Sequence, residues 1–353
     1  MGKELFHKDF KLQGETFNSV KELIDFSKSI SEEVQLFLVD WFNGKTFVEV
    51  KTSGSTGIPK IIQLQKKHMV NSAIATGSFF NLPEKTSALL CMSVNYIAGK
   101  MMLVRALTLG WHIDVLDAVS NPLKKLKKSY DFSAMVPLQL DNSLKDIHKI
   151  KKLIVGGGVV SNELLEKIQD VETDIFATYG MTETITHIAV KKLNHFKLAT
   201  ERSRRESNYN TLPNIFISKD KRGCLVIEAP KVSNDVIITN DLVEIISENS
   251  FKWLGRFDTV INSGGVKLIP EQIEEKLSKI IEQRFFITGV KDSLLGEKLI
   301  LLIEGVKNDA IQTKVKELDS LSKFEIPKEI YFLEKFIETP TQKIQRNKTI
   351  QLL

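Results

Sequence analysis

Residues 51–60 read Lys51-Thr52-Ser53-Gly54-Ser55-Thr56-Gly57-Ile58-Pro59-Lys60, and this stretch decides which fold the chain is expected to have. Glycine lets a backbone approach a ligand closely, and hydroxyl and amide groups can surround phosphate oxygens. The final lysine adds a mobile positive charge. Residues 47–51 alternate and are partly β-branched, so the loop is predicted to leave the end of a strand. For such a glycine- and serine-rich stretch alone, a flexible surface loop is the alternative.

The stretch is not a Walker A loop, which needs glycine before the lysine and serine or threonine after it. Pro59 and Ile61 hold those positions here. Four further segments follow in order: Tyr179-Gly180-Met181-Thr182-Glu183-Thr184, then Asp241, then Gly255-Arg256-Phe257-Asp258, then Lys343. With these five matches the chain resembles the adenylate-forming acyl-CoA ligase superfamily, over residues 45–350.

The composition favours a globular protein that binds acidic small molecules. The 353 residues are 42% hydrophobic, enough for a large core and for two or three domains. The net charge of +5 suits nucleotides, but it is too small and too dispersed for a nucleic-acid-binding surface. Two basic clusters, at 124–128 and 202–205, are interpreted as solvated faces.

Cysteine usage and the N-terminus favour a cytoplasmic location. Cys91 and Cys224 are too few for a disulfide framework or a zinc cluster. The N-terminus lacks the apolar segment of a secretory signal, and no apolar run approaches membrane-spanning length. A soluble cytoplasmic protein without membrane insertion is therefore expected.

The pattern of apolar segments predicts an α/β fold with two domains. Residues 16–44 are predicted to be helical, with a capping box from Ser29 to Glu32. Apolar β-like runs then alternate with helical ones up to residue 180, which indicates mostly parallel sheet layers. We predict a large N-terminal domain at 1–255, a hinge at 256–258 and a small, mobile α+β C-terminal domain at 259–353.

The resemblance implies an ATP site. Its predicted residues are Thr52, Ser53, Gly54, Ser55, Thr56, Gly57, Lys60, Gly156, Gly157, Gly158, Tyr179, Gly180, Met181, Thr182, Asp241, Arg256 and Lys343. Asp241 would accept hydrogen bonds from the ribose hydroxyls, and Arg256 would be a second ribose contact. Asn240 stands where the family usually has glycine, and asparagine tolerates the same left-handed turn. In isolation, the three glycines at 156–158 are as often a tight turn.

The resemblance also implies the chemistry, in which a carboxylate attacks the α-phosphate of ATP and the thiol of coenzyme A then displaces AMP. The predicted catalytic residues are Lys343, Thr182, Glu183 and Lys60. Glu183 would hold Mg²⁺, which accepts few protein carboxylates. An isolated Thr-Glu pair is more often a helix cap, and an isolated lysine near a terminus is usually just solvated. Lys343 follows Gln342 instead of the family's usual glycine.

Two further sets of residues follow from the resemblance. The acyl-substrate residues are Tyr96, Gly99, Arg105 and Thr186, and the CoA-binding turn is Gly264, Gly265, Val266 and Lys267, with Asp258 as the hinge. Tyr96 replaces a histidine that is common in the family. The short bacterial members that the chain most resembles use o-succinylbenzoate, an aromatic dicarboxylate of menaquinone synthesis. Arg105 would bind its second carboxylate, although a structural salt bridge is an equally good explanation.

Three classes of function remain open at this point. The first is an ATP-dependent carboxylate–CoA ligase acting on o-succinylbenzoate. The second is an adenylating enzyme for another aromatic or aliphatic acid, or one that transfers its acyl group to a carrier protein. The third is a nucleotide-binding module without catalysis, against which Glu183 and Lys343 argue. The expected partners are small molecules, namely the acid, ATP and CoA, without nucleic acid, and a homodimer is left open.

Overall fold

The computed structural model describes residues 5–51, 61–194, 208–339 and 344–353. The helices are α1 (Val20–Ser27), α2 (Glu32–Phe42), α3 (Lys66–Phe80), α4 (Ile97–Leu109), α5 (Pro137–Ser143), α6 (Asn162–Lys167), α7 (Pro270–Leu277), α8 (Ala310–Lys316) and α9 (Arg346–Ile350). The strands are β1 (Lys11–Leu12), β2 (Phe47–Lys51), β3 (Ile61–Gln65), β4 (Ser87–Leu90), β5 (His112–Val115), β6 (Tyr130–Met135), β7 (Ile150–Val155), β8 (Asp174–Gly180), β9 (His187–Lys192), β10 (Tyr209–Thr211), β11 (Phe216–Lys219), β12 (Cys224–Glu228), β13 (Ile237–Ser247), β14 (Ser250–Arg256), β15 (Ile261–Ser263), β16 (Val266–Leu268), β17 (Phe285–Asp292), β18 (Gly296–Glu304) and β19 (Glu329–Leu333).

One large sheet carries most of the described strands, in the order β1-β5-β4-β6-β7-β8-β9-β10-β14-β13-β12-β11. The first six strands are parallel, as the apolar runs predict. From β8 onward each neighbouring pair is antiparallel. The carboxyl ends of the parallel strands therefore meet at one edge, where ligand loops are expected. The predicted α/β class is confirmed, with an antiparallel second half.

The N-terminal helices differ from the prediction in two details. The predicted helical segment is broken at 28–31 into α1 and α2. The Ser29–Glu32 capping box is wrong: Ser31 occupies the N-cap of α2, and the Ser29 hydroxyl donates to the Phe26 carbonyl at 2.7 Å. One face of α2 is apolar and buried, and it includes Phe37 and Trp41.

The loop at 52–60 lies outside the described residues, but both of its flanks are strands. β2 ends at Lys51, as predicted, and pairs antiparallel with β3 from Lys51–Ile61 to Phe47–Gln65. Lys51 and Ile61, which flank this stretch, thus lie side by side.

A second sheet follows the large one along the chain. It has the order β16-β15-β18-β17, with β19 parallel to β18. Its core includes Ile273 and Leu277, which lie on one face of α7. The large sheet ends in sequence at Arg256 and the second begins at Ile261, next to the predicted hinge. Within the described ranges, no helix is both long and apolar enough to cross a membrane.

Candidate active site

Two glycine segments lie next to each other at the ends of β7 and β8. Gly156 directly follows β7, and a Cβ at this position would lie 2.5 Å from the Thr178 hydroxyl oxygen of β8. Gly157 has φ of +80°, a left-handed conformation that favours glycine. Gly156, Gly157 and Gly158 therefore form a turn without side chains beside the segment 179–182. β7 and β8 are paired in parallel, so the segments that follow them lie at the same edge of the sheet.

The loop after β8 is tightly folded. A Cβ on Gly180 would come within 2.1 Å of the Thr186 carbonyl oxygen, so only glycine fits there. The Thr184 hydroxyl lies 3.0 Å from the Met181 amide nitrogen and 2.7 Å from the Thr186 carbonyl oxygen. These contacts hold the short 3₁₀ turn Thr182–Thr184, which has Met181 as its N-cap and Glu183 exposed.

Ile185 in this loop has a strained backbone. Its φ of 66° and ψ of −61° form a γ-turn, closed by a 2.7 Å hydrogen bond from the Thr186 amide to the Thr184 carbonyl. Positive φ is a genuine outlier for a β-branched residue, and such strain costs on the order of 1–3 kcal/mol. The Ile185 side chain is 2% exposed, so packing in the core supports the strained turn.

Asp241 joins the two halves of the large sheet. The Tyr179 hydroxyl at the end of β8 donates to Asp241 Oδ2 at 2.7 Å, and Trp253 Nε1 of β14 donates to Oδ1 at 3.1 Å. The Asp241 amide donates to Thr239 Oγ1 at 3.0 Å, which fixes the strand before the carboxylate. Burial, and then the charge of Asp241, raise the pKa of Tyr179 far above its usual range, so Tyr179 acts as a donor.

Arg256 lies beside this carboxylate and pairs with the predicted hinge residue. Its NH1 atom is 3.8 Å from Asp241 Oδ1, and β13 and β14 place the two residues opposite each other. The same guanidinium donates from Nε and NH2 to the two Asp258 oxygens, at 2.9 and 3.2 Å. The hydrogen bond from Arg256 lowers the pKa of Asp258. Both side chains are substantially exposed, so the pair contributes only about 0.2–1 kcal/mol.

Arg222, in the turn between β11 and β12, binds the two residues that precede Asp241. It donates to Asp220, to the Asn240 side-chain oxygen at 2.8 Å and to the Thr239 carbonyl at 2.9 Å. Its guanidinium also lies 5.2 Å from the centre of the Phe257 ring. Asn240, which replaces the family's usual glycine, is thus an anchor for the strand that carries Asp241.

The predicted acyl-side residues lie on α4 and at the end of the 181–186 loop. Tyr96 is the N-cap of α4 and 52% exposed, and Gly99 packs so closely that a Cβ would meet the Ser93 carbonyl oxygen at 2.3 Å. Arg105 is 1% exposed. Thr186 is partly buried and precedes His187, the first residue of β9.

Arg105 has no counter-ion among the described residues. Its Nε and NH2 atoms are buried without a hydrogen-bond partner there, and NH1 reaches only the Met102 sulfur at 3.6 Å. Burial lowers the pKa of Arg105 to about 9. A buried charge without a partner is costly, and an anion bound next to Arg105 would lower this cost. The alternative explanation, a structural salt bridge, has no partner in the described part of the chain.

Sequence reasoning missed three residues of this region: Trp253, Arg222 and His187. His187 is buried, and its Nε2 atom lies 3.4 Å from the Thr76 hydroxyl, which itself donates to the Ser72 carbonyl. Burial, and then the positive charge of Arg105, lower the pKa of His187 well below its usual range. The only sequence signal for His187 is its position just after the Tyr179–Thr184 segment.

The remaining predicted residues fall in two groups. Lys60, Lys343 and the loop residues Thr52, Ser53, Gly54, Ser55, Thr56 and Gly57 lie outside the described residues. The predicted CoA turn is a two-residue hairpin: β15 and β16 pair at Ser263–Val266, and Gly264 and Gly265 have φ of 57° and 82°. Val266 and Lys267 begin β16, with Lys267 exposed.

Comparison with known proteins places the chain in a family. The family model for AMP-binding enzymes matches residues 51–212. The crystal structure of an acyl-CoA synthetase (AMP-forming)/AMP-acid ligase II-like protein from Dyadobacter fermentans is 39% identical, covers 91% of this chain and 93% of its own, and has a TM-score of 0.59. The chain belongs to the AMP-binding enzyme family. The predicted class, an AMP-forming acyl-CoA synthetase, is thereby confirmed.

Other AMP-binding enzymes are more distant. A 2-succinylbenzoate–CoA ligase of Geobacillus sp. (strain WCH70) is 25% identical over 344 residues, which cover 86% of this chain and 68% of the relative. The o-succinylbenzoate CoA synthetase of Bacillus subtilis, solved with its acyl-adenylate intermediate, is 20% identical with a TM-score of 0.72, covering 85% of this chain and 68% of its own. This second likeness shows the fold alone.

Proposed function

We propose that this AMP-forming ligase joins o-succinylbenzoate to coenzyme A by way of an acyl-adenylate. The observation that carries the choice of acid is the buried guanidinium of Arg105, which has no counter-ion within the described ranges. A dicarboxylate brings a second anion to such a group, whereas a monocarboxylate leaves it uncompensated. The names of the Geobacillus and Bacillus relatives, which act on this acid, support the same choice.

The geometry around Asp241 supports nucleotide binding. A carboxylate has about four acceptor positions, and Tyr179 and Trp253 use one on each oxygen. One position per oxygen therefore remains, which matches the two hydroxyls of a ribose. The donors also fix the orientation of the carboxylate before the nucleotide binds, so little ordering is required on binding.

In the proposed first step, the reacting carboxylate of the acid attacks the α-phosphorus of ATP and pyrophosphate leaves. The loop at 52–57 and Lys60 would hold the β- and γ-phosphates, and Thr182 the α-phosphate. Lys343 would bridge the attacking carboxylate and the α-phosphate, where charge develops. The exposed carboxylate of Glu183 is a suitable hard ligand for Mg²⁺, which would neutralise phosphate charge when bound.

In the proposed second step, the thiol of coenzyme A attacks the acyl carbon and AMP leaves. Rotation of residues 259–353 about Asp258 would replace Lys343 with the turn Gly264–Lys267. The weak, exposed Arg256–Asp258 pair is compatible with such a rotation, because it costs little to break.

The test is a panel of acids offered to the purified protein with ATP, Mg²⁺ and coenzyme A. Pyrophosphate release and thioester formation are measured separately for o-succinylbenzoate, benzoate and a medium-chain fatty acid. We expect the largest kcat/KM for o-succinylbenzoate in both assays. A larger value for either monocarboxylate would refute the proposed acid, and pyrophosphate release without any thioester would refute coenzyme A as the acceptor.

A further inference from the structure

The carboxylate of Glu33 on α2 binds the loop that connects β4 to α4. Ser93 Oγ donates to Glu33 Oε2 at 2.8 Å, and the Val94 amide donates to the same oxygen at 3.1 Å. The Asn95 side-chain nitrogen donates to Oε1 at 2.5 Å. Three consecutive loop residues thus hold one carboxylate that lies some sixty positions earlier in the chain.

This loop follows the carboxyl end of a parallel strand and leads into the predicted acyl-side helix. It closes on itself through a hydrogen bond from the Asn95 amide to Ser93 Oγ at 3.2 Å. The Ser93 carbonyl lies against Gly99 with no room for a side chain. Tyr96 follows directly as the exposed N-cap of α4. The position of Tyr96 is therefore set by the loop, and the loop by Glu33.

A second group links the same two helices. The Lys100 ammonium of α4 lies 5.0 Å from the centre of the Phe37 ring of α2. Burial lowers the pKa of Lys100, and the carboxylates of Asp40 and Glu33 oppose that shift. Glu33 therefore faces α4 both through the loop and through this cation, one helical turn beyond Tyr96.

We propose that Glu33 is a positioning residue for the acyl pocket, which holds the loop 93–96 and so places Tyr96 against the acid. The inference rests on the proposed function, since it needs an acid to be bound at α4. Glu33 touches no reacting atom in this scheme and acts only through the loop. The neighbouring Glu32 is a matched control: it lies in the same first turn of α2, is exposed, and its side chain makes no hydrogen bond or ion pair with the described residues.

The experiment compares Glu33→Ala, Glu33→Gln and Glu32→Ala with the wild-type enzyme, varying the acid and ATP separately. We expect Glu33→Ala to raise KM for the acid about tenfold or more, the effect of losing charge-assisted hydrogen bonds, with KM for ATP nearly unchanged. Glu33→Gln should be intermediate, because its amide keeps one acceptor oxygen. Glu32→Ala should match the wild type. Equal increases for acid and ATP would overturn the inference.

Hydrogen exchange at the Val94 amide gives a readout that does not depend on activity. This amide donates directly to Glu33, so exchange should accelerate about tenfold or more in Glu33→Ala and stay unchanged in Glu32→Ala. Unchanged exchange in Glu33→Ala would overturn the inference. If the wild-type enzyme uses none of the acids, the proposed function has failed, and the exchange rates alone then decide whether Glu33 holds the loop. Glu33→Gln serves both measurements if the alanine variant does not fold.

Discussion

Replacing Arg105 with methionine should stabilise the protein and impair its preference for a dicarboxylate. Burial lowers the pKa of Arg105 to about 9, against an ordinary value of 12.5. Each pKa unit corresponds to about 1.4 kcal/mol, so burial opposes the charged form by several kcal/mol. Replacing a buried ion pair with apolar side chains of similar volume is often neutral or stabilising by about 1–4 kcal/mol, and Arg105 lacks even the attraction of a described counter-ion. We expect Arg105→Met to raise the free energy of unfolding by an amount in that range.

The same substitution should reduce the use of o-succinylbenzoate selectively. A hydrogen bond to a charged group contributes about 1.5–3 kcal/mol, which corresponds to about 10- to 150-fold in kcat/KM. The loss should be seen for o-succinylbenzoate and not for benzoate, which has no second carboxylate. Lys67→Met is the control, because it removes an exposed cation from the neighbouring helix α3 and leaves the buried guanidinium in place.

Urea unfolding at neutral pH measures the first effect, and steady-state thioester formation the second. A variant that is less stable than the wild type would show that Arg105 makes a structural contact. A variant that loses activity equally on both acids would show that Arg105 does not recognise the remote carboxylate. Either result would refute the reasoning from burial to function.

Four further outcomes are expected. Lys343→Ala should lower the rate of acyl-adenylate formation about 10²- to 10³-fold and leave the attack of CoA on presynthesised adenylate nearly intact. Equal rate losses in stopped-flow assays of the two steps would contradict its proposed role. Asp258→Pro should release pyrophosphate but lose most thioester formation, because proline fixes φ at the hinge; a folded variant with normal thioester rates would contradict this. The depressed pKa of buried His187 means that, as pH falls below about 6.5, the unfolded chain binds a proton at this histidine and the folded protein does not. The free energy of unfolding should therefore fall by about 1.4 kcal/mol at pH 5.5. Urea titrations at several pH values should show a smaller pH dependence of this free energy in His187→Gln. Trp253→Phe should weaken ATP binding about three- to tenfold in calorimetry with little change for the acid, and an unchanged ATP affinity would show that its hydrogen bond to Asp241 is dispensable.

The sequence predicts well whatever depends on local pattern. The parallel strands appear as short apolar runs, and the glycine pair at 264–265 requires positive φ, so both are readable from neighbouring residues. The position of the glycine segment 156–158 directly after a strand also follows, since these residues come after a short apolar run.

Contacts between distant segments could not be predicted in the same way. The Trp253 and Asp241 side chains meet only because β13 and β14 are paired with a bulge, and Glu33 meets the loop 93–95 only through helix packing. The burial of Arg105 could not be predicted from the sequence either, because an arginine in an apolar helix is normally expected to reach water or a charged partner. The capping-box prediction was wrong for a different reason, since a local pattern can be satisfied in more than one way. Ser29 has the right spacing from Glu32, but its hydroxyl donates to the Phe26 carbonyl of α1.

The hydrogen bond from Trp253 to Asp241 places an intrinsic fluorophore at the proposed nucleotide site. The chain has three tryptophans, and the other two, Trp41 and Trp111, are 9% and 0% exposed in the core. Only the Trp253 indole touches the carboxylate that is proposed to receive the ribose. Its emission should therefore change when a nucleotide binds, while the core indoles provide a constant background. Intrinsic fluorescence could then follow each occupancy change of the nucleotide site in real time, without a label or a coupled enzyme.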